Sequence, residues 1–234
     1  MFKFFYLLLS VILFTDCVSG FKTKKLLNAT AKAAFYDLVV DELESEVGRT
    51  DLINGTITRP FEIDPDKLKN ILGNIRFVKH TRVNKYEDYI FHDDELDTLA
   101  ENLARALMNP PKTKKESIVV VISQFDHLQS VISNNKRTSF YAWAGQDGLN
   151  LVFGDIQYDV ARDKARNFYD WTSVDPIPLT NRRDENEIRS NKDIFKFKEI
   201  DGFENNKWLL FALDDLNKYS PRPKLGTKDK EGAN

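Results

Sequence analysis

The side chains that most often carry chemistry are few in this chain. It has three histidines, His80, His92 and His127, and one cysteine, Cys17. No two histidines stand four apart, so no helix face can offer the paired imidazoles of a metal site. His92-Asp93-Asp94-Glu95 is the densest group of ligand-type residues. Consecutive side chains at a helix start splay apart rather than converge. The run therefore reads as a helix cap with acids set against the helix dipole, and no metal is expected. His127 has no motif-bearing serine or cysteine to activate. No phosphate-cradling glycine loop and no dinucleotide fingerprint occurs. No catalytic residue and no cofactor is assigned.

Carboxylates are abundant, with 36 Asp and Glu. A pair at the right separation would serve glycoside hydrolysis, but spacing along the chain does not give that separation. Asp155, beside Gly154 at the end of an apolar run, is the acid that stands out; its plain reading is a turn residue at a strand end. The tryptophans suggest binding. Trp143 shares one pleat face with Ser139 and Tyr141, while Phe140, Ala142 and Ala144 share the other. Both faces then need cover, from the core on one side and from a helix, a chain excursion or a partner on the other. Trp171 ends Phe168-Tyr-Asp-Trp171, just before a segment holding Pro176 and Pro178. An aromatic excursion over a sheet face is a candidate cleft for a peptide or glycan. Trp143, Asp155 and Trp171 together are the expected ligand or partner surface.

These residues must be positioned by local elements. Phe35, Leu38, Val39, Leu43 and Val47 recur at helical spacing, which predicts an amphipathic helix over 31–47. Asp64-Pro65 opens a short helix that Gly73 closes. Residues 74–80 and 85–91 read as strands. Leu96, Leu99, Leu103 and Leu107 predict a helix over 94–108, capped by Asp93 or Asp94 and stopped by Pro110-Pro111. Ile118–Ile122 is an unbroken β-branched run suited to a strand buried on both faces. Arg137–Ala144 and Leu149–Phe153 flank Gly145-Gln-Asp-Gly148, a hairpin signal. A short helix near 162–170 precedes the excursion, and 194–200 and 207–213 read as strands. Helices come early and strands late, which predicts one α+β domain over 31–219 with helices packed on a mostly antiparallel sheet. Residues 21–30 read as a tether and 220–234 as a flexible tail.

The N-terminus differs in composition. Lys3 is followed by the apolar run Phe4–Phe14, 11 residues broken only by Ser10, and then Thr15-Asp-Cys17-Val-Ser-Gly20. The run is too short for the ~20 residues of a spanning helix and suits a signal-peptide core. Two processing schemes fit. Val18 and Gly20 place cleavage before Phe21 and leave a free protein. Cys17, the only cysteine and directly after the apolar run, instead becomes a lipid-bearing first residue. Phe14-Thr-Asp-Cys17 resembles the relaxed lipoprotein signals of some bacteria, spirochaetes among them, although Asp16 is large and charged where that pattern has a small residue. The resemblance implies export and a membrane anchor through Cys17.

The remaining chain would lack cysteine, which suits a bacterial envelope better than a disulfide-forming secretory pathway. Net charge is −2, with 34 basic against 36 acidic residues, so a general polyanion binder is excluded and no nucleic acid is expected. The reading is an exported envelope protein, periplasmic or at the outer membrane, acting as a non-enzymatic binding or assembly module for an envelope protein or glycan. The alternatives are a periplasmic hydrolase of envelope glycan or peptide acting through carboxylates, and a small-ligand carrier.

Overall fold

An apolar run that cannot be solvated on either face belongs at the centre of a sheet covered on both sides. The computed structural model describes residues 24–53, 55–80, 85–127, 134–180 and 186–222. Its first half holds β1 (Lys25–Ala29), β2 (Ala33–Val39), α1 (Val40–Val47), β3 (Ile57–Thr58), α2 (Pro65–Gly73), β4 (Arg76–His80), β5 (Lys85–Tyr89) and α3 (Asp93–Met108). The second half holds β6 (Ser117–His127), β7 (Asn134–Gly145), β8 (Gly148–Phe153), β9 (Tyr158–Val160), α4 (Arg162–Arg166), α5 (Phe168–Trp171), β10 (Asn186–Ile188), β11 (Lys196–Ile200) and β12 (Phe203–Phe211). A nine-stranded sheet runs β1-β2-β6-β7-β8-β12-β11, with β3 and β9 also pairing with β7; a three-stranded sheet runs β10-β4-β5. All pairings among the described residues are antiparallel. The class is α+β with antiparallel sheets. No helix among the described residues is long and apolar enough to cross a membrane.

The central strands divide their side chains between two apolar clusters. Val119, Val121, Phe140 and Ala142 join Leu99 and Leu103 of α3 and Leu68 and Ile71 of α2. Ile118, Val120, Tyr141 and Trp143 join Leu43 of α1 and Trp171, Ile177 and Leu179 of the excursion. The run Ile118–Ile122 is wholly buried on both faces, as its composition predicts. The β7–β8 hairpin forms where Gly145 pairs with Gly148. Gly148 has φ 130°, and a Cβ there would run into the carbonyl of Phe211 on β12. Only glycine allows both that conformation and that approach.

Several expectations are corrected. The helix predicted over 31–47 is strand β2 followed by the short helix α1. Every residue of β2 is buried, so it shows no period-2 alternation, and its apolar positions match helical spacing by coincidence. The stretch read as a tether contributes strand β1, paired with β2. The N-cap of α3 is His92, not Asp93 or Asp94. The segment read as a tail begins pinned: the Arg222 guanidinium donates to the Phe91 carbonyl at 2.7 Å and to Asp93 at 2.9 Å. Residues 223–234 and 1–23, including Cys17, lie outside the described residues. The α2 helix is as expected, with Asp64 accepting from the Asp66 amide at 2.7 Å.

One charge sits in β2, two residues from its C-terminal end. Asp37 meets Arg59 at 2.5 Å, with both side chains 2% exposed. Arg59 also donates to Ser117 Oγ at 2.8 Å and to the carbonyls of Ala106 (3.1 Å) and Asn109 (2.9 Å). The second Asp37 oxygen accepts from the Lys112 amide at 3.2 Å. Removing one partner strands the other charge in the core, so Asp37→Ala and Arg59→Met are each expected to cost about 3–5 kcal/mol. Replacing both is expected to cost well under the sum, because no charge is then left unpaired. Urea unfolding of the three variants measures this; single and double losses that simply add would contradict it.

Candidate functional site

The tryptophans do not form a surface. Trp143 and Trp171 are each 2% exposed. Trp143 packs edge-on against Trp208 at 5.4 Å, and Trp171 against Phe168 at 5.5 Å. The expectation that these rings present a ligand is corrected: the excursion fills the space over the sheet with apolar side chains, and the rings are part of that filling. Asp155 is not a free acid either. Its Oδ2 accepts from Arg137 Nε at 2.8 Å and pairs with Nη2 at 2.6 Å.

Arg137 nevertheless joins two of the three predicted residues. Its Nη1 donates to the Ser173 carbonyl at 2.9 Å and to the Trp171 carbonyl at 3.4 Å. An irregular segment has few backbone partners of its own, so sheet side chains must satisfy it. Tyr141 Oη accepts from the Ile177 amide at 2.9 Å, and Asn205 donates to the Leu179 carbonyl at 2.9 Å. Lys24 donates to the Thr172 carbonyl at 2.8 Å and lies 4.3 Å from the Tyr36 ring centre. Burial, followed by the nearby Arg137 charge, pushes its ammonium pKa down to about 8.

Beside Arg137 opens a polar groove of about 590 Å³, lined by Tyr158, Asp159, Lys164, Asp170 and Asp175 among others. Lys136 pairs with Asp159 at 2.5 Å. Among the described residues, the side chains of Lys164, Asp170 and Asp175 make no hydrogen bond or ion pair. Tyr158 is 56% exposed, and Tyr169, next to Asp170, is 80% exposed. The groove can hold a polar, charged segment and offer tyrosine rings to it. Sequence reasoning reached its edge through Asp155 and Trp171, but read the wrong aromatic residues as exposed.

A second site lies at the start of α3. Glu95 Oε1 accepts from the His92 amide at 2.8 Å, which is the capping role expected of an acid three residues into a helix. Glu95 is only 5% exposed, and its Oε2 is buried without a hydrogen-bond partner. Burial pushes its carboxyl up to about 7, against the pull of the His92 amide. It lines a mainly apolar pocket of about 240 Å³ between Thr30–Ala33 and α3. That pocket adjoins one of about 390 Å³ through shared Ala31 and Lys32, lined also by Gln124, Arg162 and Arg166. A buried carboxyl that titrates near neutrality inside a pocket marks a functional candidate. Only the burial of Glu95 sets it apart from Asp93 and Asp94, and spacing does not reveal burial.

Among the described residues, no group of three or more His, Cys, Asp or Glu is placed to hold a metal. No protein-family model, curated protein or solved structure matches the chain.

The Glu95 shift sets a pH dependence. An unfolded glutamate titrates near 4.3, and the folded one near 7. Between those values the folded state holds a proton that the unfolded state has released, so stability falls as pH rises through this window and levels off above it. Glu95→Gln keeps an oxygen for the His92 amide and removes the titration. The variant is expected to match wild type near pH 4 and to melt at a higher temperature at pH 8. Thermal melts across that range test this, and a variant less stable than wild type at pH 8 would contradict it.

Proposed function

We propose that the protein is an exported cell-envelope module that binds a charged segment of another envelope protein in the Arg137 groove, with no catalytic step of its own. The supporting observation is the set of Lys164, Asp170 and Asp175 side chains, unpaired among the described residues, beside exposed Tyr158 and Tyr169. Charges of both signs suit a peptide segment better than a neutral glycan. We place α2 and α3 as a helical layer over one face of the large sheet, and α1 with the 162–180 segment over the other. The side chains they share with the sheet in the two apolar clusters support this arrangement.

Residues 1–20 serve in this reading as an export signal, with Cys17 as the lipid-bearing residue. Cys17 stands seven positions before Lys24, at most about 25 Å of extended chain. Lys24 is bonded to Thr172 beside the groove, so an anchor at Cys17 would hold the groove close to the membrane surface. Two acyl chains suffice for stable anchoring, whereas Lys22, Lys24 and Lys25 alone would adsorb weakly and be released by salt.

A photo-crosslinking residue at position 169 is expected to give a discrete protein adduct in native envelopes, while the same group at Phe203, 76% exposed on the β11–β12 hairpin, is not. Equal labelling from both positions, or an adduct with glycan alone, would contradict the reading. Wild type is expected to take up a palmitate analogue and to stay with membranes in high salt, and Cys17→Ser is expected to lose both properties. Uptake that persists in Cys17→Ser would place the lipid elsewhere, and a wild type without label would make the free, cleaved form correct.

A further inference from the structure

We propose that the cleft between the Thr30–Ala33 turn, the start of α3 and helix α4 binds a short peptide with free ends, its N-terminal ammonium on Glu95 and Gln124 and its C-terminal carboxylate on Arg162 and Arg166. The site is separate from the Arg137 groove and does not rest on it. Its two chambers adjoin at Ala31 and Lys32, and they differ in chemistry. In the inner chamber, Glu95 Oε2 is buried and has no hydrogen-bond partner. At the boundary, Gln124 donates through Nε2 to the carbonyls of Ala31 (3.4 Å) and Ala165 (3.3 Å), which leaves its Oε1 buried and without a partner. Two acceptors therefore lack a donor. In the outer chamber, the solvent-exposed Arg162 and Arg166 make no ion pair among the described residues, so both can pair with a ligand anion.

Buried polar groups such as Glu95 Oε2 and Gln124 Oε1 are rarely left unmatched. A zwitterion matches all four groups at once; a simple anion would leave the carboxyl of Glu95 without a donor, and a simple cation would be repelled by the arginines. Glu95 lines one chamber and the arginines the other, so the ligand's charges must stand further apart than in one amino acid. The volumes of about 240 and 390 Å³ suit a dipeptide. Ala33 and Leu99 line the inner chamber, which favours an apolar first side chain.

The charges around Glu95 leave its role open to an incoming cation. Lys32 faces it from the 30–33 turn but is engaged with Asp94 at 3.5 Å. Arg222, from the C-terminal segment, is held by Asp93. His92 precedes the helix on the same element, and Asp126 lies in the outer chamber. A ligand ammonium would stabilise the ionised carboxylate, so binding near neutrality expels the Glu95 proton.

Calorimetric titration of the full chain with L-leucyl-glycine tests the site, with N-acetyl-leucyl-glycine and leucyl-glycinamide as probes lacking one charge each. The free dipeptide is expected to bind at least tenfold more tightly than either probe. Its affinity is expected to rise about tenfold from pH 5.5 to 7.5, as the ionised fraction of Glu95 grows. Heats at pH 7 in buffers of different ionisation enthalpy are expected to report proton release. Glu95→Gln is expected to weaken binding and abolish both the pH dependence and the proton release. Arg162→Gln/Arg166→Gln, on an exposed helix face, is expected to remove the preference for a free carboxylate. Equal binding of the acetylated probe, affinity that falls as pH rises, or no binding of the dipeptide at millimolar concentration would each overturn the proposal.

Discussion

The buried pair of Asp37 and Arg59 is the constraint on which the architecture turns. A carboxylate in a fully buried strand is costly unless it is neutralised and hydrogen-bonded on every side. Arg59 neutralises it, and in doing so gathers the β6 residue Ser117, the C-terminal carbonyls of α3 and the chain before α2 around one guanidinium. Lys112 adds the loop between α3 and β6. Three stretches of chain, at 37, 59 and 106–117, are thereby fixed at one end of β2. A purely apolar contact would hold them together without dictating their register, whereas the planar donor set of arginine demands a particular one.

With that end fixed, the aromatic side chains of β2, β7 and β8 are taken up by the two clusters, and those strands leave little aromatic surface for recognition. Glu95 Oε2 and Gln124 Oε1, buried without hydrogen-bond partners, lie instead by the opposite end of β2. Helix α4 has a cleft on either side. Arg162 and Arg166 face one, and Lys164 lines the other. The cover is tied down by side chains of the sheet, chiefly Arg137, Tyr141 and Gln124, rather than by a backbone ladder. This arrangement suits the proposed recognition: the segment proposed to meet ligands is held at discrete points on the sheet.

Much of the frame was legible in the sequence. Residues 65–73 and 93–108 announced their helices through caps and stripes, and Gly145 to Gly148 announced the hairpin. Strand β2 was misread because burial on both faces erases alternation, leaving Phe35, Leu38 and Val39 at apparent helical spacing. The short strands β1, β3, β9 and β10 escaped notice because two to five residues carry too little pattern, and their pairing is set by partners far along the chain. The site was legible only at its margin. Asp155 and Trp171 pointed to the right neighbourhood, but through roles the fold gives to other residues: the acid is neutralised by Arg137 and the indole is core. Glu95 looked like one of three capping acids. What distinguishes it is the wall formed by the Thr30–Ala33 turn, a contact between residues about sixty positions apart.

The central claim is that a sheet locked at the Asp37–Arg59 end carries a separately held recognition cover around α4. Amide hydrogen exchange, followed by mass spectrometry on the full chain, measures this most directly. The account predicts slowest exchange in β2, β6, β7 and β8, and exchange faster by orders of magnitude across 162–180. In Arg137→Gln, exchange of 168–178 should accelerate further while the four central strands remain unchanged. Uniform protection across the sheet and the 162–180 segment, or acceleration of the central strands in that variant, would contradict the account.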